Sequence, residues 1–195
     1  MSFKSIRYFV GIAAIGALCS LPATAQMMGH SAAAQGVNNP NQNGMAGAMG
    51  PAQDDAFLKD AAAGNMGEVA MGKLALDKSS NDDVKKFAQR MVDDHGKMEG
   101  DVETVAKANG VNLPNSPDKG TKKELAKLQT MSGADFDKAY MAFMVKDHKK
   151  DLAAFKSEAG STQNGGVRDL ANSGAKTIQS HLEEAESVNS KVSGK

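Results

Sequence analysis

Apolar residues along most of this chain follow the pattern of α-helices. From residue 54 onwards they recur at intervals of three and four residues, which places them on one helical face. The spacing predicts long helices over residues 54–79, 82–108, 134–159 and 167–192, and a short one over 121–129. No β-branched or aromatic run alternates with period two, so no strand is predicted. Four helices with one apolar stripe each bury those stripes most simply against one another. We therefore expect an all-α fold, an antiparallel four-helix bundle over residues 54–192.

Capping residues and glycines refine the predicted helices. Asn81 is placed to cap the second helix, and Gly160 is expected to end the third long one. Five glycines lie inside the first two helices, where each costs about 1 kcal/mol relative to alanine. They indicate either close helix approach or a locally soft helix pair, and we favour the second interpretation. These glycines are Gly64, Gly67, Gly72, Gly96 and Gly100.

The first 25 residues have the organisation of a bacterial secretory signal peptide. Lys4 and Arg7 precede an apolar run over residues 8–21, and residues 23–25 (Ala-Thr-Ala) form a small-residue cleavage site. Cleavage would remove Cys19, the one cysteine of the sequence, so no disulfide is expected in the exported protein. The apolar run is short for a membrane span, and no second one follows. We expect a periplasmic or secreted protein without a transmembrane span.

Residues 26–53 are predicted to form a flexible low-complexity linker, a disordered N-terminal tail. They contain no Lys, Arg, Asp or Glu and show no helical periodicity. His30 and the nearby methionines are ligands that suit copper, although a plain tail is the favoured interpretation. Over the whole chain, 23 Lys and Arg balance 23 Asp and Glu, so no basic excess points to nucleic acid.

Three histidines and one glutamate fall on the four apolar stripes at similar heights. His95, His148 and His181 each lie at helical spacing from the apolar residues of their own segment, and Glu68 does so in the first segment. All four lie within about two residues of their segment midpoints, so they would meet at one level of a bundle. Imidazoles and a carboxylate suit a transition metal such as Zn, Cu, Fe or Mn. The sequence therefore predicts an inward metal site formed by these four side chains.

Acidic residues accompany the histidines and could support them. Asp94 and Asp147 directly precede His95 and His148, while Asp151 and Glu184 each follow a histidine by three residues, on the same helical face. They are candidates for further ligands or for acceptors that orient the imidazoles. The same pattern also fits a metal-free core, in which histidines and acids form a buried hydrogen-bond network that determines helix register.

Several short motifs resemble one bacterial envelope family. They are residues 62–69 (Ala-Ala-Gly-Asn-Met-Gly-Glu-Val), 72–75 (Gly-Lys-Leu-Ala), 91–95 (Met-Val-Asp-Asp-His) and 132–137 (Ser-Gly-Ala-Asp-Phe-Asp). Together with the later histidines, they resemble the domain of unknown function 4142 family, often labelled as an outer membrane protein and grouped with ferritin-like folds. The resemblance covers residues 54–190 and implies an exported ferritin-like bundle. It implies no established activity.

The ferritin analogy does not extend to a ferritin-type metal centre. Ferritin-like di-iron sites use Glu-x-x-His on two helices. Here the residues three before the histidines are Val92, Val145 and Ile178. A standard di-iron carboxylate centre is therefore not expected, and any metal site should be histidine-rich and mononuclear.

Three functions remain as hypotheses. The first is transition-metal binding, or protection of the envelope from stress, without turnover. The second is a metal-free structural or interaction module with an envelope protein as partner. The third is a metal-dependent oxidase or peroxide-consuming enzyme, although the sequence contains no nucleophile elbow, phosphate loop or dinucleotide motif and no catalytic residue is assigned. The oligomeric state is left open.

Overall fold

The computed structural model describes residues 50–194, which form five helices. They are α1 (Pro51–Lys78), α2 (Asp82–Ala108), α3 (Lys119–Gln129), α4 (Gly133–Ser161) and α5 (Gly165–Ser193). Within this range there is no strand, so the all-α prediction is confirmed for these residues. None of these helices combines the length and the hydropathy that a bilayer span requires. The predicted signal peptide and nearly all of the predicted linker lie outside the described residues.

The helix boundaries follow from local capping, with departures of up to three residues from the predicted bounds. α3 and α5 begin at Lys119 and Gly165, each two residues earlier than predicted. α2 has its predicted bounds, and the Asn81 side chain accepts hydrogen bonds from the N–H groups of Asp83 (2.9 Å) and Val84 (3.2 Å). α1 begins at Pro51, earlier than predicted, because proline is suited to the first helical turn. α4 continues through Gly160, since helical hydrogen bonding extends to the N–H of residue 162, so the prediction that this glycine ends the helix is wrong.

The four helices of 27 to 29 residues pack against one another in a closed set of contacts. The connections over residues 79–81 and 162–164 are short, and α1 with α2 and α4 with α5 form the most extensive contacts. α2 also packs on α5, and α1 packs on α4. Each long helix therefore contacts two other long helices, while the 11-residue α3 lies against α1 and α4.

Buried apolar residues form two clusters, and polar side chains lie at the boundary between them on each long helix. One cluster includes Leu58, Val102, Leu152 and Ile178, and the other includes Met71, Met91, Met144 and Ala185. Between the two along α1, α2 and α4 come Asn65, Glu68, His95 and His148, and on α5 His181 lies at the boundary, directly before Leu182 of the first cluster; all five have at most 3% of their surface exposed. We call these five residues the polar layer. Burying polar groups between two apolar clusters is costly unless they find partners, which makes their contacts informative.

Some helical glycines allow close approach between elements. A Cβ atom on Gly72 would lie 2.8 Å from the carbonyl oxygen of Ala88, and one on Gly67 would lie 2.5 Å from Cγ2 of Thr121. The interpretation of a merely soft helix pair is therefore wrong at these two positions. It remains compatible with Gly96 and Gly100, where a Cβ would meet open space.

Candidate metal centre

Three buried imidazoles meet in the polar layer, one from each of α2, α4 and α5. His95, His148 and His181 are 3%, 2% and 0% exposed, and their ring centroids lie 5.2–5.6 Å apart. One ring nitrogen from each lies within 4.8 Å of the others, an arrangement that could hold a metal ion. Three of the four predicted ligands are thus gathered at one place.

Each imidazole donates one N–H to a defined acceptor. His148 Nδ1 donates to the Met144 carbonyl oxygen (2.9 Å), and His181 Nε2 donates to Oδ2 of Asp94 (2.8 Å). His95 Nδ1 lies 2.9 Å from Oδ1 of Asn65, which is an acceptor. These contacts assign the tautomers, because the proton must sit on the bonded nitrogen.

The second nitrogen of each ring carries a lone pair and has no partner within the described protein. These atoms are Nε2 of His95, Nε2 of His148 and Nδ1 of His181, and all three are buried. Buried polar atoms are normally hydrogen-bonded. Three unsatisfied imidazole lone pairs in one cluster therefore call for a ligand, such as a metal ion or a water molecule.

The environment favours the neutral form of all three histidines. Burial lowers the pKa of His95 well below its usual value, and the two neighbouring imidazoles lower it further. Burial and the charge of His181 lower the pKa of His148 to about 4. Burial also lowers the pKa of His181, although its hydrogen bond to Asp94 acts in the opposite direction. At neutral pH the cluster therefore presents neutral imidazoles, the form that binds metals.

Glu68 lies beside the histidine cluster rather than within it. Its Oε1 is 3.8 Å from Nδ1 of His148, the nitrogen that already bonds to the Met144 carbonyl. Neither carboxylate oxygen makes a hydrogen bond of ordinary geometry within the described residues, although the side chain is only 2% exposed. Burial, with the charges of Asp147 and Asp151, raises the pKa of Glu68 well above its usual value. Glu68 thus contacts a histidine, and the charges of two acids act on it.

Asp94 and Glu184 belong to an ionic network on the α2–α5 side of the cluster. Arg90 donates to Asp94 (3.2 Å), to Glu184 (2.6 Å) and to the Ser180 hydroxyl (2.9 Å). Burial raises the pKa of Asp94, but hydrogen bonds from His181 and Arg90 outweigh it and hold the pKa below its usual value. Asp94 therefore stays ionised and orients His181, which is 87 residues away in sequence.

Asp147 and Asp151 line a cavity of about 200 Å³ that reaches His95 from the α1–α4 side. Asp60 and Asp118 lie on the same wall, and Lys150 is the one basic residue of the lining. Burial raises the pKa of Asp147, although Glu68 lowers it. The acids that flank His148 in sequence therefore face this cavity, on the side where Glu68 lies.

Sequence reasoning missed three groups that define the histidine geometry. Asn65 and the Met144 carbonyl hold His95 and His148, and Arg90 holds Asp94. Met144 precedes His148 by one helical turn, but its acceptor is a backbone carbonyl, which has no sequence signature. Asn65 lies one turn before Glu68 on the same helix face, which is the signal that could have identified it.

The fold and the site together define an all-helical protein with a buried three-histidine cluster. Residues 39–188 match the model of the family described as "Domain of unknown function (DUF4142)", and the chain belongs to that family. This agrees with the resemblance found in the sequence motifs. No curated protein matches the chain.

Two solved structures share the fold at low sequence identity. One is a DUF305 protein from Streptomyces coelicolor, provisionally described as secreted. Its TM-score is 0.62 at 16% identity, covering 72% of this chain and 92% of that one. The other is a DUF305 fragment from Deinococcus radiodurans, with a TM-score of 0.64 at 14% identity, covering 71% of this chain and 96% of that one. The likeness concerns the fold alone.

Proposed function

We propose that the protein binds a transition metal through His95, His148 and His181. The observation that carries the proposal is the combination of three neutral, buried imidazoles, each anchored through one nitrogen, with three unpartnered nitrogens in the same cluster. Histidine ligands of metals typically donate their other N–H to a carbonyl or a carboxylate. Met144 and Asp94 supply such acceptors here.

The spacing of the rings is close to what coordination requires. At a metal–nitrogen distance of about 2.0–2.1 Å, tetrahedral ligands lie about 3.3 Å apart. Nitrogens within 4.8 Å of one another would reach that separation if each ring moved inward by less than about 1 Å. Three protein ligands leave a further position for water or another small ligand. The donor set suits Zn, Cu, Fe or Mn.

The acidic residues take supporting roles in this proposal. Asp94 holds the tautomer and orientation of His181, and Glu184 stabilises that arrangement through Arg90. Glu68 and Asp147 are set apart from the ligand set, because Glu68 lies nearest the bonded nitrogen of His148. The site is therefore histidine-only in its protein ligands.

We extend the proposal to the whole protein as an exported metal-binding bundle. The signal-like residues 1–25 support delivery to the periplasm or the exterior. The short connections between α1 and α2 and between α4 and α5 support an antiparallel, ferritin-like four-helix arrangement of the long helices, with α3 as an addition. In the envelope such a protein would sequester a metal and so protect against stress, without turnover.

Metal content tests the proposal directly. Tag-free protein exported to a bacterial periplasm should retain a stoichiometric transition metal by inductively coupled plasma mass spectrometry. His148→Ala should lose the metal while its circular dichroism stays helical. His30→Ala, which removes the one histidine outside the described residues, is the matched control and should keep it. The proposal fails if wild type stays empty after Zn²⁺, Cu²⁺, Fe²⁺ or Mn²⁺ is added and the protein desalted. The histidines would then be core hydrogen-bonding groups of a structural or interaction module.

The cavity at His95 favours one second candidate, a metal-dependent oxidase or peroxide-consuming enzyme. About 200 Å³ of space next to a ligand would admit a small substrate to an open coordination position. This candidate requires that the metal-loaded protein consumes peroxide or an oxidisable substrate catalytically and that His95→Ala abolishes turnover. Stoichiometric metal without turnover would favour binding alone.

A further inference from the structure

A second group of potential ligands lies next to the histidine cluster and contains only oxygen donors. The cavity between α1 and α4 is lined by the carboxyl groups of Asp60, Asp118, Asp147 and Asp151, against one lysine, Lys150. Lys150 is mostly exposed, and its Nζ lies 3.9 Å from Oδ1 of Asp151. The lining therefore carries an excess of negative charge.

Glu68 is the buried end of this acidic group. Its side chain is 2% exposed, and neither of its oxygens has a hydrogen-bonding partner of ordinary geometry within the described residues. The Oδ2 atom of Asp151 lies 3.9 Å from where a Cβ on Gly64 would stand, one helical turn before Glu68 on the same face of α1, and Asp147 lines the same cavity as Asp151. Burial and the neighbouring charges of Asp147 and Asp151 raise the pKa of Glu68 well above its usual value, which agrees with that placement. Burying an unsatisfied carboxyl group close to two others is costly unless a proton or a cation neutralises the charge.

Two further observations agree with this arrangement. Burial and the charge of Asp147 raise the pKa of Asp151 to about 7. The buried hydroxyl of Tyr140 also lacks a hydrogen-bonding partner within the described residues, and its pKa is raised by burial and by the charge of Glu68. The acids repel one another in the protein alone, and a cation among them would relieve that repulsion.

We propose that Glu68, Asp147 and Asp151 form a second site, which binds a hard divalent cation. Carboxylate oxygens are the preferred ligands of Ca²⁺, Mg²⁺ and Mn²⁺, whereas imidazoles suit the softer transition metals. The adjoining cavity leaves room for the waters that complete the coordination of such cations. The site goes beyond the proposed function and does not rest on it, because it shares no ligand with the three histidines.

Terbium luminescence tests this site with a probe already present in the protein. Tb³⁺ is a hard, oxygen-seeking ion, and its emission is sensitised by a nearby tyrosine, an effect that falls off steeply with distance. The chain has no tryptophan and two tyrosines. Tyr8→Phe in the full chain leaves Tyr140, next to Glu68, as the sole sensitiser. We expect this protein to give sensitised Tb³⁺ emission on excitation of tyrosine, and excess Ca²⁺ to displace it.

Variants in the Tyr8→Phe background assign the emission to the carboxyl groups. Glu68→Gln and Asp151→Asn should each abolish the sensitised emission. Asp151 lies closer to solvent than Glu68, so the Asp151→Asn variant is the less sensitive of the two in its folding. Glu158→Gln is the matched control, since it removes another buried carboxyl group elsewhere on α4, and should keep the emission. His181→Gln, which disrupts the histidine cluster, should also keep it.

Three results would overturn the proposal: no sensitised emission from folded protein, emission that survives both carboxyl substitutions, or emission that is lost in His181→Gln. The last result would place the ion at the histidines instead. Metal content in the absence of Tb³⁺ reports separately on the histidine site, so failure of one site is distinguishable from failure of the other.

Discussion

Replacing His148 with leucine is expected to remove a specific acid sensitivity of the metal-free protein. The pKa of His148 is about 4 in the folded protein, against an ordinary value of 6.5. The folded protein therefore keeps this ring neutral between these two values, whereas the unfolded chain takes up a proton. At about 1.4 kcal/mol per pKa unit, the difference corresponds to about 3 kcal/mol.

The sign follows from proton binding. Where the unfolded state binds more protons, the free energy of unfolding rises with pH. The contribution of His148 is therefore fully present above pH 6.5 and is lost as pH falls towards 4. His148→Leu has no such group. Relative to wild type, it should gain about 3 kcal/mol of stability on acidification across this window.

Urea denaturation followed by far-ultraviolet circular dichroism, with a chelator present, measures this difference at several pH values. The other histidines and the buried acids titrate in both proteins. Their contributions cancel except at His95, whose pKa His148 lowers, and losing that effect adds to the expected difference in the same direction. His30→Leu is the control and should track wild type at every pH. A difference between wild type and His148→Leu that stays constant from neutral pH to pH 4 would show that His148 is not held neutral by burial.

Three further predictions concern the surroundings of the site. Asp151→Asn should abolish a pH dependence of opposite sign. The pKa of Asp151 is about 7 in the folded protein, against an ordinary value of 3.8, so the folded state binds more protons between these values. The free energy of unfolding of wild type therefore rises by up to about 4 kcal/mol as pH falls through this window, and the 24% exposure of the side chain reduces that gain. The same urea series measures it. Asp94→Asn should weaken transition-metal binding by about 10- to 100-fold, because the acceptor that orients His181 loses its negative charge; competition with a chromophoric chelator measures this. Gly174→Ala should lower the free energy of unfolding by about 1–3 kcal/mol, since the new Cβ would overlap the ring of Phe155 on α4. Gly100→Ala, which points into open space, should raise it by about 1 kcal/mol.

Each of these predictions has a contradicting outcome. Asp93→Asn is the control for Asp94→Asn, because it neutralises the adjacent exposed carboxylate; equal affinities in the two variants would remove Asp94 from the site. Asp151→Asn would contradict the argument if its stability followed wild type at all pH values. Equal stabilities of Gly174→Ala and Gly100→Ala would show that the contact with the phenyl ring is loose enough to adapt.

The local pattern of the sequence was sufficient to predict the helices of the described region. Apolar residues at helical spacing and a capping asparagine located α2 correctly, because both signals act over a few residues. Gly160 misled because glycine disfavours a helix only weakly, and the hydrogen bonds of α4 continue past it. The glycines at 67 and 72 could not be interpreted without knowing which elements face them.

The histidine cluster could also be anticipated, since three histidines on apolar stripes near the helix midpoints must approach one another when those stripes pack. The sequence could not show which nitrogen of each ring is left without a hydrogen-bond partner. The acceptors are a backbone carbonyl, an amide on another helix and a carboxylate 87 residues away, and the sequence does not show which acceptor pairs with which ring nitrogen.

The sequence by itself determined the helices, their buried faces and the level at which polar groups enter the core, because these depend on residue type and on period. Only the tertiary structure decided how the polar groups divide. The three imidazoles converge in one cluster, and Glu68 lies beside it, one helical turn from where Asp151 approaches α1. That division depends on the rotation and spacing of packed helices, which small differences in side-chain packing set and periodicity does not encode.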